Sequence, residues 1–410
     1  MKTTQAAGTF RAFRNHNYAL FFTGQSISQI GTWMQRTAVV WVIYSLSHSA
    51  MMIGVAVFAQ QFPAFLFSLF GGVVADRYSR YKILIVTQTA SMIQAILLAL
   101  LILTNHYIIW EILALGSVLG IINAFDVPAR QPMVHDMVDN KEDLTNAISL
   151  NSAMVNMARL IGPALSGMVL QQFGAGICFI INAVSFIAVI ISLLLMKFPE
   201  FKQPLMKKKV MSELAEGYSY LKQTPAISML ILLLTCLSLL ILPYDTMEAV
   251  FAKVIFKGNA ATYGYISGCI GLGALTGSFL LASAKKDINL RTVLLLSITV
   301  LGTGLILFSR MSHFVFALPF AVILGLGSIL PMSTSITIIQ IEAAPQMRGR
   351  VMSYMAMAYF GMLPLGSLLI GTISQKIGAP LTMLCQGIAA FVIAALFYKL
   401  LPKVKPNQKQ

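Results

Sequence analysis

Residues 71–82 read Gly71-Gly72-Val73-Val74-Ala75-Asp76-Arg77-Tyr78-Ser79-Arg80-Tyr81-Lys82. Four charges, Asp76, Arg77, Arg80 and Lys82, fall inside this short stretch. Residues 37–75 before it, up to the first of those charges, hold no Asp, Glu, Lys or Arg, and residues 83–110 after it hold none either. A helix needs roughly 20 apolar residues to cross the hydrocarbon core of a bilayer. The stretch therefore reads as a short basic connection between two membrane-crossing helices, with small residues closing the first.

The remainder of the chain repeats that pattern. Of its 410 residues 57% are hydrophobic and only 10% are charged, and mean hydropathy is +0.79. A water-soluble domain carries about a quarter charged residues, so water is excluded as the solvent for most of this surface. Residues 160–196, 258–284, 311–341 and 351–375 also lack acids, Lys and Arg. Twelve spans fit: 17–45, 50–75, 83–104, 108–132, 143–171, 175–197, 225–252, 260–284, 290–309, 313–341, 349–375 and 379–400. Within lipid only helices satisfy their own backbone, so the expected fold is an all-α membrane protein with twelve transmembrane helices.

Net charge is +15, and its placement orients the chain. With both termini cytoplasmic, Lys253, Lys257, Arg310 and Lys376 fall outside and Arg36 and Arg159 lie within spans, leaving 23 of the 29 Lys and Arg inside. That is the positive-inside bias. It makes a multi-pass protein facing the lipid bilayer, with both termini cytoplasmic, the expected reading, and nucleic-acid binding is not expected. The four cysteines, Cys178, Cys236, Cys269 and Cys385, sit far apart in apolar runs and read as small buried residues. No metal spacing occurs, and no cofactor is expected. The N-terminus does not read as a cleavable signal peptide, because the apolar stretch after Arg11 and Arg14 is too long.

Between Pro199 and Thr224 lysines and glutamates cluster, and residues 211–222 have an amphipathic helical pattern. The expected organisation is a cytoplasmic tail at 1–16, a six-helix bundle at 17–198, a cytoplasmic linker with an amphipathic helix at 199–224, a second six-helix bundle at 225–401 and a tail at 402–410. The linker lysines are expected to rest on anionic headgroups. Aligning Gly54 with Gly264 sets the 71–82 connection against Ala282–Thr292, which keeps basic charge but loses the Asp-Arg order. The two bundles thus read as a degenerate repeat, the construction expected when a site lies between halves.

The 71–82 connection resembles the Gly-x-x-x-Ala-Asp-Arg-x-x-Arg-x-Lys signature of the major facilitator superfamily, with Ser79 where that family usually has Gly. The strings Phe125-Asp126-Val127-Pro128-Ala129-Arg130-Gln131 and Ala158-Arg159-Leu160-Ile161-Gly162-Pro163-Ala164-Leu165-Ser166-Gly167, and Arg348-Gly349-Arg350 before the eleventh span, are most similar to its branch of enterobactin exporters and macrolide efflux proteins. The resemblance implies the major facilitator fold, two pseudo-symmetric bundles, a transporter rather than an enzyme, and export. It implies a gate built from Gly72, Asp76, Arg77, Arg80, Lys82, Asp126 and Arg130, in which Asp126 receives an arginine of the signature loop. It implies a kink motif at Gly162, Pro163 and Gly167, and a cavity lined by spans one, four, seven and ten.

Helical phase supplies cavity candidates. Gln25, Gln29, Thr32 and Arg36 form one polar stripe on span one, beside Trp33. Asn123 lies on span four, Asp245 and Glu248 on span seven, and Ser333 and Thr337 on span ten. Ser149, Ser152, Asn156 and Arg159 form a further stripe on span five. Ser, Thr and Asn also serve as helix glue, whereas Arg cannot discharge and must find an anion, water or a carbonyl. No nucleotide-binding Gly-x-x-x-x-Gly-Lys motif occurs. The resemblance implies alternating access driven by protons, for which Asp126, Asp245 and Glu248 are the candidate carriers, and a monomer is expected. The basic, amide-rich stripe favours an anionic or catecholate-like small-molecule substrate such as a siderophore, with a lipophilic drug or macrolide as the alternative and nutrient import as a weaker one. A membrane enzyme is disfavoured because no His or Ser catalytic motif is present.

Overall fold

The structure is a computed structural model that describes residues 10–105, 107–138, 140–196, 210–283 and 288–400. Most of the expected tails, the polar linker residues 197–209 and the charged part of the 282–292 connection lie outside the described residues. Among those described there is helix and turn but no strand. The long helices are α1 (His16–Ser47), α2 (Ala50–Arg77), α3 (Arg80–Leu103), α4 (Ile109–Asp136), α5 (Lys141–Phe173) and α6 (Ala175–Leu195). After the linker helix α7 (Val210–Gln223) come α8 (Pro225–Ile255), α9 (Ala260–Ala282), α10 (Leu290–Ser309), α11 (Phe314–Glu342), α12 (Arg348–Ile377) and α13 (Ala379–Leu400).

Eleven of these helices are long and apolar enough to cross a membrane. The twelfth crossing is α1. Its 32 residues span about 48 Å, well beyond a hydrocarbon core of about 30 Å, and its polar stripe sets it apart from the eleven more apolar helices. The fold is thus the expected all-helical one. Every helix end falls within four residues of its expected place, the largest difference being at the end of α4, which runs to Asp136 and not to 132. Helix α2 runs through Asp76 to Arg77, and only Tyr78 and Ser79 separate it from α3. The basic charge at Arg77 suits the negative end of the α2 dipole.

The described chain separates into two compact units. One comprises Met1–Leu46 and Ala59–Leu205, the other Ser47–Phe58 and Met206–Gln410. In the first unit α3 packs on α4 and α6; in the second α10 packs on α11 and α13. Two details repeat between them. Gly120 of α4 lies so close to the Gln60 carbonyl of α2 that a Cβ would come within 2.3 Å, and Gly325 of α11 meets the Ile270 carbonyl of α9 at 1.8 Å. The register that sets Gly54 against Gly264 carries Gln60 onto Ile270 and Gly120 onto Leu330, so the two crossings match on α2 and α9 and are offset by five residues on α4 and α11. Single glycines also join α5 to α6 and α12 to α13. Gly174 has φ 80° and Gly378 φ 85°, values that a side chain would resist.

The chain just ahead of α1 is anchored: Arg11–Arg14 forms a 3-10 turn whose Arg11 pairs with Asp143 at 2.8 Å. The Ala12 amide donates to Asn146 Oδ1 at 3.0 Å, and Tyr18 donates to the Ala147 carbonyl at 2.9 Å. Lys202, Lys207, Lys208 and Lys209, expected on headgroups, lie outside the described residues, while helix α7 also docks on protein: Glu216 pairs with Arg350, Gly217 lies against Tyr354, and Tyr220 Oη accepts the Ala344 amide at 3.1 Å. Of the cysteines only Cys178 is fully buried, and Cys385 is exposed.

Candidate transport site

In the first unit α5 closes on α1 because residue 162 has no side chain. A Cβ there would lie 2.5 Å from Trp33 Cβ. One turn further, Ser166 donates to the Met34 carbonyl at 3.0 Å. Pro163 removes the amide that would bond the Arg159 carbonyl, which makes this the weakest turn of α5. The motif expected to bend the span thus also seats Trp33.

The Trp33 indole carries two cations. The Arg36 guanidinium carbon lies 5.1 Å from the ring centroid and that of Arg159 5.8 Å. Each contact is worth about 0.5–2 kcal/mol, depending on how dry it is. All three side chains are half-buried. Arg159 sits about 27 Å along α5 from Lys141 and about 21 Å from Phe173, so it lies near mid-depth. Among the described residues no carboxylate comes within 4.0 Å of it. A charge at that depth costs about 2.5–3.5 kcal/mol on insertion scales unless it meets water or an anion.

The other stripe residues divide. Gln25 is buried, and its Oε1 has no hydrogen-bond partner among the described residues. Gln29, Thr32 and Asn123 are half-buried. Ser149, Ser152 and Asn156 bond carbonyls of their own helix at 3.0 Å each, so they glue nothing. In the second unit Ser333 and Thr337 are half-buried, and the Thr337 hydroxyl is spent on the Ser333 carbonyl at 3.0 Å.

Asp126 is held differently from the expectation. It is buried and pairs with Arg130 at 3.1 Å, while Thr87 and Gln88 donate to it at 3.0 and 2.7 Å. The loop's Arg80 instead pairs with Asp136 at 3.1 Å. The reason is reach: Asp126 lies ten residues, about 15 Å, deeper along α4 than Asp136. Asp76, Arg77 and Lys82 are exposed. The close approach at the end of α2 falls on Gly71, whose Cβ would meet the Ala124 carbonyl at 1.8 Å, whereas Gly72 faces open space. Gly167 is buried in α5.

Two features escaped the sequence reading. Helix α8 is broken at Leu242–Tyr244, where Pro243 interrupts the amide ladder. Gln386 of α13 donates to the stranded Leu240 and Ile241 carbonyls at 3.1 and 3.2 Å. Gly366 of α12 fits the break so closely that a Cβ would lie 2.5 Å from the Leu239 carbonyl. Beyond the break a short piece, Asp245–Val250, carries Asp245, half-buried, and Glu248, buried, which accepts the Ser267 hydroxyl of α9. The second feature is a buried amide relay through the first unit. Asn182 donates to Gln35 at 2.9 Å, Gln35 to Gln94 at 3.0 Å, and Gln94 to the Leu115 carbonyl at 3.1 Å. Thr87, Ser91 and Gln94 share one face of α3, and the phase test applied to α1 would have found them.

Comparison with known proteins agrees with this architecture. A family model described as transmembrane secretion effector, MFS_3, matches residues 7–410. The staphyloferrin A transporter of Staphylococcus aureus is 28% identical over 94% of this chain and 96% of the relative. The enterobactin exporter EntS of Shigella flexneri is 24% identical over 97% and 93%, and macrolide efflux protein A of Streptococcus pyogenes 22% over 91% and 93%. Among solved structures, a bacterial homologue of the lysosomal transporter Spinster aligns with TM-score 0.73 at 14% identity over 94% of this chain and 97% of the other. A POT family transporter aligns with TM-score 0.76 at 14% identity over 95% and 97%. Those two likenesses bear on the fold alone. The chain belongs to the transmembrane secretion effector family of major facilitator transporters.

Proposed function

We propose that this transporter exports a small molecule, a siderophore in the first instance, across the bacterial inner membrane by alternating access. Both termini lie in the cytoplasm in this reading, as the charge bias suggests. The observation that carries it is the half-buried cationic face of Trp33, Arg36 and Arg159 at mid-depth, in a chain that aligns nearly end to end with two transporters named for siderophores. A cargo bound there would reach one side when the bundles rock one way and the other side when they rock back. The gate is assigned to the 71–82 connection with the Arg80–Asp136 pair. Export against a gradient needs an energy source. We assign it to protons carried on the acids of the broken α8, Asp245 and Glu248, because Glu248 is buried and Asp245 half-buried just beyond the break. The chain acts as a monomer in this scheme.

The test compares culture supernatants of the parent strain and a deletion strain under iron limitation by mass spectrometry. Loss of a secreted iron chelator from the deletion strain, restored by the gene, is the expected result. Unchanged secretion with heightened sensitivity to macrolides would replace this reading by drug efflux. The likeness to macrolide efflux protein A favours that second reading.

A further inference from the structure

We infer that Gln386 of α13 is a positioning residue: it holds a 3-10 turn in α8, and that turn sets the angle at which Asp245 and Glu248 are presented. The inference deepens the proton assignment and rests on it for the role of the two acids. Pro243 lacks the amide that would bond the Leu239 carbonyl, and in an α-helical turn its ring would press on that same carbonyl. The chain answers with a 3-10 turn over Leu242–Tyr244. Its Tyr244 amide reaches back to the Ile241 carbonyl at 3.3 Å, where an α-helix would take it one residue further, to Leu240. The Leu240 carbonyl is served instead by the Gln386 amide at 3.1 Å, which also reaches Ile241 at 3.2 Å. On the other side of the turn the Thr246 hydroxyl donates to the Pro243 carbonyl at 2.8 Å. Gln386 is buried, and an unmet carbonyl in such a place is costly.

Without the Gln386 amide, the donor at hand for Leu240 is the Tyr244 N–H. Taking it converts the 3-10 turn to an α turn. A 3-10 helix turns about 120° and rises about 2.0 Å per residue, an α-helix about 100° and about 1.5 Å. Over the three residues of the turn the difference is about 60° of rotation and about 1.5 Å of length. The piece beyond it, Asp245–Val250, moves by that amount and carries both acids with it. A rotation of that size takes the Glu248 carboxylate off the Ser267 hydroxyl of α9 that it now accepts. Thr246, Met247 and Ala249 on the same piece are buried, so close packing favours one angle or the other over any between. At the far end a π turn over Phe251–Ile255 holds surplus chain that takes up the twist before α9 begins. Gln386 thus acts on the acids through the backbone of α8.

The test uses the full chain in lipid nanodiscs carrying Glu248→Cys and Ser267→Cys, bridged by a short bis-methanethiosulfonate and followed by peptide mass spectrometry. Rapid bridging is expected when nothing else is changed. Gln386→Met, which keeps the volume and loses the donors, should slow it by roughly fivefold or more. Pro243→Ala restores the missing amide and removes the ring, so it should slow bridging as well, and Gln386→Met added to it should change nothing further, because one turn is the target of both. Both single variants should elute as monodisperse protein. Unchanged bridging in Gln386→Met, or additive losses in the combined variant, would overturn the inference. If Gln386→Met does not fold, Pro243→Ala decides alone, and unchanged bridging there overturns it. In the deletion strain, a gene carrying only Gln386→Met should restore roughly fivefold less chelator secretion than the parent gene; full secretion beside slowed bridging sinks the positioning role. Asp245→Asn with Glu248→Gln separates the two ideas. Undiminished secretion from that variant sinks the proton assignment, while the bridging rates still decide whether Gln386 sets the angle.

Discussion

Replacing Gly162 with Ala asks whether the seat of Trp33 governs the site. The added carbon would lie 2.5 Å from Trp33 Cβ, 3.1 Å from the Ile30 carbonyl and 3.5 Å from the Met34 amide. Ordinary carbon contacts begin near 3.5 Å, so one partner has to yield by about 1 Å. Helix α5 cannot back away freely, because Ser166 is bonded to the Met34 carbonyl one turn on. Trp33 is therefore the group that moves, and both arginines on its ring move with it. Overpacking of this size costs about 1–3 kcal/mol. If that strain is relieved only by disturbing the site, it corresponds to a loss of about 5- to 150-fold in affinity, at 1.4 kcal/mol per tenfold. Binding of the transported compound would be measured on purified protein beside a thermal unfolding curve. Weakened binding with a modest drop in midpoint is expected. Wild-type binding in Gly162→Ala, with an unchanged midpoint, would refute the idea that this close approach organises the arginines.

Three further outcomes are expected. Gly120→Leu and Gly325→Leu put a side chain into equivalent carbonyl contacts of the two units, so each should abolish the monodisperse peak in size-exclusion chromatography; a normal peak from either would show that the crossing is tolerant. In the amide relay, Gln94→Leu strands Gln35 and should cost about 1–3 kcal/mol of unfolding free energy, whereas replacing Gln35, Gln94 and Asn182 together should cost less than the sum of the single changes; additive losses would argue against a network. Asp136→Asn breaks a half-exposed ion pair and should alter stability by about 1 kcal/mol or less, while Asp126→Asn leaves Arg130 without its partner and should cost about 3 kcal/mol, so equal unfolding midpoints would contradict the partner assignment.

The crossings were legible because lipid leaves the chain little choice. Long uncharged runs between short charged connections place helix ends almost without ambiguity, and α10 and α13 begin and end at the expected residues. The cationic pair was legible in part: the spacing on α1 marked Arg36, and Gly162-Pro163 marked a bend beside Arg159. That both arginines share one indole depends on how α5 approaches α1, which no single-helix pattern encodes. The partner of Asp126 was misjudged because a resemblance supplies residue types and not depth along a helix. The break in α8 was signalled by Pro243 alone, and its stabilisation by Gln386 and Gly366 comes from helices more than a hundred residues later in the chain. Gln35 was overlooked because it lies off the polar stripe, facing α3 and α6.

The anchoring of the first turn has a bearing on how the chain is made. Arg11 and Ala12 leave the ribosome long before Asp143 and Asn146, which hold them in the finished protein. At about 5–20 residues per second, the turn waits roughly 7–26 s for its dock to be synthesised. During that interval the nascent N-terminus is open to proteases and to anything fused ahead of it. An affinity tag joined close to Phe10 would therefore act on biogenesis, and a spacer between tag and turn is the arrangement that leaves assembly of the first bundle undisturbed.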